Sequence, residues 1–142
     1  MKSTVSVSNS ASQALANQPA NLVTKTVGLL GLLAIIYVHF LDLPGKIEET
    51  PYLGYGYIIL MLGCALAAGF LLFKRERRGW LLGGVMALGA ILVYAINRTV
   101  GLPMAMEDIG NWTEPLGVYS MIAEAIVVVA AGWALSRQAK NQ

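Results

Sequence analysis

Apolar residues in this chain fall into four long runs, roughly 22–43, 52–73, 80–102 and 116–135, and polar residues gather between them. A run of about 20 residues rising about 1.5 Å each matches a hydrocarbon core of about 30 Å. The pattern predicts an all-α membrane protein whose residues 22–136 form one four-helix domain. Short connections make sequential helices antiparallel neighbours, so the expected topology is up-down-up-down. Residues 1–21 are rich in Ser, Asn, Gln and Ala, lack apolar periodicity and read as a flexible segment. No convincing cleavage site follows the first run, so it reads as a retained helix rather than a signal peptide. Residues 137–142 read as a polar, basic tail.

Punctuation residues set the expected ends. Pro44 and Gly45 stop the first helix, and Pro103 stops the third. Tyr52, Tyr55 and Tyr57 open the second span, where amphipathic rings favour the membrane boundary. Trp80, Trp112 and Trp133 mark further interfacial positions.

Composition supports a membrane class, with 56% of residues hydrophobic and 13% charged, against about 25% charged in soluble domains. The placement of charge sets the orientation. Lys2, Lys25, Lys74, Arg75, Arg77, Arg78, Arg137 and Lys140 fall on one side of the four spans, and Lys46 and Arg98 fall on or near the other. The positive-inside rule puts both termini and loop 74–79 in the cytoplasm and loops 44–51 and 103–115 outside, in a plasma membrane. The KRERR run is thus a topology signal, and no nucleic-acid partner is expected.

The two outer loops resemble each other. With Leu43-Pro44 laid over Leu102-Pro103, His39 meets Arg98 and Glu48-Glu49 meet Glu107-Asp108. After a four-residue insertion, Thr50-Pro51-Tyr52-Leu53-Gly54 meets Thr113-Glu114-Pro115-Leu116-Gly117. The chain reads as a tandem repeat of a two-helix hairpin, the copies related by an axis along the membrane normal.

Glu124 carries the strongest chemical signal. It lies about 12 Å into the fourth span, where a carboxylate costs several kcal/mol unless neutral, paired or hydrated. Gly117, Ser120, Glu124 and Ala131 share one helix face, which should point into the bundle. Arg98 is a possible partner. Its side chain could reach inward to Glu124, keeping that carboxylate ionised, or outward to Glu107 and Asp108; without the inward pair, burial should leave Glu124 neutral. Asn97 beside it also needs a partner at that depth. His39 reads as an interfacial histidine, a proton acceptor near Glu124, or a ligand for haem or copper. Met104 and Met106 could join it as soft copper ligands. Glu48, Glu49, Glu107, Asp108 and Glu114 form an expected outer acidic surface able to attract cations or a basic partner.

Catalysis by the chain alone is not expected. It holds one His and one Cys, Cys64, in different spans, with no nucleophile–base–acid set and no GxGxxG, P-loop, HExxH or GxSxG motif. The leading expectation is a small polytopic membrane protein acting as a non-enzymatic subunit or binding module, in a homo-oligomer or with other membrane subunits. A proton- or cation-coupled transporter using Glu124 is the first alternative. A haem- or copper-handling protein using His39 and Met104 or Met106 is the second. No cofactor is expected under the leading reading.

Overall fold

The computed structural model describes residues 2–140, with side chains at 9–12 and from 21 onward. Its elements are α1 (Lys2–Glu49), α2 (Pro51–Leu72), α3 (Glu76–Thr99), a 3-10 turn (Met106–Asp108) and α4 (Pro115–Lys140). Among the described residues, four stretches are long and apolar enough to cross a membrane: Asn21–Glu49 of α1, and α2, α3 and α4 entire. The chain is an all-helical, multi-pass membrane protein. The end of the expected tail, residues 141–142, lies outside the described residues, as does Met1.

Several boundaries differ from those read in the sequence. Helix α1 extends back through the expected N-terminal segment to Lys2. It also runs through Pro44, which was expected to stop it, and ends at Glu49. Proline removes one backbone donor and crowds the preceding turn, yet the turn after Pro44 is held from outside. Ile47 lies so close to Gly54 of α2 that a methyl group at Gly54 would sit 3.0 Å from the Ile47 Cα. Thr50 closes the turn by donating its N–H to the Lys46 carbonyl at 2.9 Å. Helix α2 then starts at once, with Pro51 in the first turn where a missing donor is harmless.

The basic turn is shorter than expected. Only Phe73, Lys74 and Arg75 lie between α2 and α3, and Lys74 takes a left-handed φ of 60° to reverse the chain. Helix α3 ends at Thr99, before Pro103. Its terminator is Gly101, whose φ of +83° suits a residue without a Cβ. As a result, Leu43-Pro44 lies inside a helix while Leu102-Pro103 lies in a loop.

Contacts between helices run round a ring: α1 on α2, α2 on α3, α3 on α4, and α4 on α1. The buried faces recur at helical spacing. Leu60, Cys64, Ala67 and Leu71 supply α2, and Val127, Ala130 and Ala131 supply α4. Most of this core lies toward the 73–75 turn. There Trp80 reaches across the axis to Gly28, and Leu32 of α1 lies against Gly83 of α3. Gly83, Ala67 and Ala87 are buried, as expected of small residues that let helices approach in lipid. Toward the 100–114 loop, the axis is hollow.

Candidate functional site: a polar cavity in the hollow half

The same spacing that builds the core brings polar side chains to the axis. On α1 the inward face runs Leu32, Ile35, His39, Asp42, Lys46, and on α4 it runs Gly117, Ser120, Glu124, Val127, Ala131. These faces and their partners on α2 and α3 enclose a cavity of about 350 Å³. Its depth is set by Glu124 and its mouth by residues next to the 100–114 loop.

Glu124 is 1% exposed. Its Oε1 accepts a hydrogen bond from the Ser120 hydroxyl at 2.6 Å. Its Oε2 is buried with no hydrogen-bond partner. His39 faces it from α1, with Nε2 3.8 Å from Oε1. The His39 Nδ1 lies 2.9 Å from the Ile35 carbonyl; a carbonyl only accepts, so Nδ1 carries the proton and directs Nε2 toward Glu124. Tyr57 packs edge-on against the imidazole at 4.5 Å between centroids, and its hydroxyl donates to Asp42 at 3.0 Å.

A second cluster sits at the mouth. Arg98 turns outward: its guanidinium pairs with Asp108, and with Glu114 at 2.7 Å. Asn97 donates to Asp108 at 2.8 Å and accepts from the Leu102 N–H at 3.2 Å. Lys46 approaches Asp108 at 3.9 Å. The Arg98 guanidinium also lies 4.9 Å from the Tyr94 ring centroid. Burial works against the Asp108 charge, but the bonds from Arg98 and Asn97 and the charges of Lys46 and Arg98 outweigh it and hold its carboxyl below the ordinary value of 3.8.

These positions sort the sequence expectations. Glu124, Ser120 and His39 come together, and Asn97 and Arg98 line the same cavity. An inward Arg98–Glu124 pair is not formed, because Asp108 and Glu114 engage the guanidinium instead. The outer acidic surface is divided: Glu48, Glu49 and Glu107 are exposed, whereas Asp108 and Glu114 turn in to Arg98. The His39–Met104–Met106 set is not assembled. Met104 and Met106 are 63% and 56% exposed in the loop, while His39 is buried against Glu124. Among the described residues no three His, Cys, Asp or Glu side chains gather into a metal-holding group.

Asp42, Tyr57 and Tyr94 were not anticipated as parts of the site. Tyr57 was read with Tyr52 and Tyr55 as an interfacial belt, yet only the latter two are exposed. Its register gives the signal, since Leu53, Tyr57, Leu60, Cys64, Ala67 and Leu71 are spaced by three or four residues. No protein-family model, curated protein or solved structure matches this chain.

Proposed function

We propose that this chain is a non-enzymatic binding module of the plasma membrane, holding a small hydrogen-bond-donating ligand against Glu124. The observation that carries this reading is the unpartnered Oε2 of a carboxyl that is 1% exposed and lines a cavity. With any Glu124 proton held on Oε1 toward the His39 Nε2, Oε2 is an acceptor, and a buried acceptor left without a donor costs about 1–3 kcal/mol. A ligand N–H or O–H offsets that cost when it arrives. Binding is favoured over transport because Leu32, Ile35 and Val127, each at most 1% exposed, fill the bundle beyond Glu124.

In the proposed topology the helices run up-down-up-down, with both termini and the basic turn cytoplasmic and the cavity opening toward the exoplasmic side. Its support is the one-sided placement of Lys and Arg, the short links at Thr50 and 73–75, and the Lys25–Glu76 pair between the starts of two spans. The duplication of a two-helix hairpin is proposed from the likeness of the two outer loops. It gains support from His39 and Arg98, matched positions that line one cavity from opposite helices.

Replacement of Glu124 tests the binding role by sign. Glu124→Leu, similar in size, should stabilise the ligand-free protein in nanodiscs by about 1–3 kcal/mol. Modification of the buried Cys64 thiol during heating reads this out. Small amines and alcohols such as ethylamine and butanol should protect the wild type and not the variant, by ligand linkage. A structural glutamate gives the opposite result: the variant is destabilised and both proteins respond alike.

A further inference from the structure

Three of the four seams around the cavity are closed by side-chain contacts. His39 faces Glu124 across α1 and α4 at 3.8 Å. Tyr57 bonds Asp42 across α1 and α2. Tyr94 lies on Gly117 across α3 and α4, so close that a methyl group at Gly117 would sit 2.8 Å from the ring. The fourth seam, between α2 and α3, differs. Gly56 and Gly89 both line the cavity there, and a methyl group at either would meet nothing within 4 Å. Ile59 and Val85 share this double position: they line the cavity and are 64% and 63% exposed on the outer face of the bundle.

The gap has ends. Toward the basic turn, Met86 closes on Gly63. Toward the loop, Tyr52 donates its hydroxyl to the Pro103 carbonyl and Thr50 donates to the Met104 carbonyl at 3.2 Å. The α2–α3 seam is therefore bridged above and below, and open between.

We infer that this gap is a lateral window to the bilayer, and that the ligand is a membrane-dissolved amphiphile, a long-chain amine or alcohol, whose head donates a hydrogen bond to Glu124 while its tail lies between α2 and α3. The inference rests on the binding role proposed above and specifies the ligand and its route. Its head is specified by the orphaned Glu124 acceptor, since N–H and O–H donors answer the same need. The tail is specified by the apolar rim, Ile59, Val85 and Val93, which faces hydrocarbon on one side and the cavity on the other. A water-soluble ligand would leave that rim unused.

The test is photolabelling of the full chain in nanodiscs with two probes, a diazirine-bearing long-chain primary amine and the matching alcohol, with adducts mapped by peptide mass spectrometry. Gly89→Leu blocks the window where a side chain meets open space, and Cys64 protection reports that the variant is folded. Adducts should concentrate on Gly56, Ile59, Val85 and Gly89, be competed by unlabelled amphiphile, and fall about tenfold in Gly89→Leu and in Glu124→Leu, a loss of about 1.4 kcal/mol in occupancy. The more strongly competed probe identifies the head as ammonium or hydroxyl. Adducts spread over the outer faces of all four helices, indifferent to both substitutions, overturn the window. If adducts ignore Gly89→Leu while ethylamine or butanol still protects wild type and Gly89→Leu but not Glu124→Leu, the site survives with an aqueous route. If neither class of probe depends on Glu124, both readings fall.

Discussion

The two halves of this bundle hold the same four helices by different means. Near the basic turn, small residues admit large ones: Leu71 lies on Gly79, Leu32 on Gly83, and Trp80 crosses to Gly28. Near the 100–114 loop the axis is hollow, and the helices are tied at the rim by Arg98, Asn97, Lys46, Asp108 and Glu114. Packing in lipid rewards close van der Waals contact, so a half that forgoes it must be held open by directed bonds. Glycine illustrates the contrast. A methyl group at Gly79 would sit 2.8 Å from the Leu71 side chain and 3.0 Å from the Ala67 carbonyl oxygen, whereas one at Gly89 meets nothing within 4 Å.

The largest expected effect comes from cutting the rim. Arg98 is 4% exposed and serves two carboxylates. Arg98→Ala leaves Asp108 and Glu114 without their shared cation, a loss of about 3 kcal/mol, at the low end for a buried pair because the two carboxylates are only half-buried. Resistance of loop 100–114 to proteolysis measures it. The wild-type rim also has a pH dependence of defined sign. The Asp108 carboxyl is held below its ordinary value of 3.8. Its contribution is therefore complete above that value and lost only as pH falls below it, through the folded-state pKa. Acid should release the loop while the packed half persists, detected as proteolysis at 100–114 before Cys64 is exposed. Simultaneous loss of both would mean that the halves are one cooperative unit.

A matched pair of glycine substitutions comes next in size. Gly79→Ala forces a methyl group onto the Ala67 backbone, and overpacking of this kind costs about 1–3 kcal/mol. Gly89→Ala fills open space and removes a poor helix former, a gain of about 0.5–1 kcal/mol. Opposite signs in thermal stability are the expected outcome. Equal losses would show that the hollow half is as tightly packed as the other and would remove the cavity.

Much of this contrast could be read from the chain, and the misses have a common cause. Four spans, the inward face of α4 and the depth of Glu124 follow from run length and a spacing of three or four residues. The fate of Arg98 does not, because a long side chain on the last turn of α3 reaches inward or outward equally well until the loop is placed. That loop is placed by Gly101 and by Asn97, whose side chain captures both Leu102 and Asp108. Pro44 misled for the same reason: its effect depends on Ile47 meeting Gly54, a contact between helices. Local pattern specifies faces and lengths, while polar pairing at helix ends is decided by tertiary neighbours.

The smallest effect tests whether burial, rather than the mere presence of ion pairs, separates the halves. Lys25 and Glu76 form a pair at 2.9 Å at the basic end, with side chains 24% and 44% exposed. Exposed pairs contribute about 0.2–1 kcal/mol and are screened by salt. Lys25→Met keeps the apolar stem and removes the charge, so it should cost no more than that, and the difference from wild type should vanish in concentrated salt. Arg98→Ala, by contrast, should keep most of its deficit there, because the guanidinium it removes is only 4% exposed. A Lys25→Met loss as large as that of Arg98→Ala, or one that persists in salt, would mean that the packed half also depends on a polar clasp. The two halves would then differ in hollowness alone.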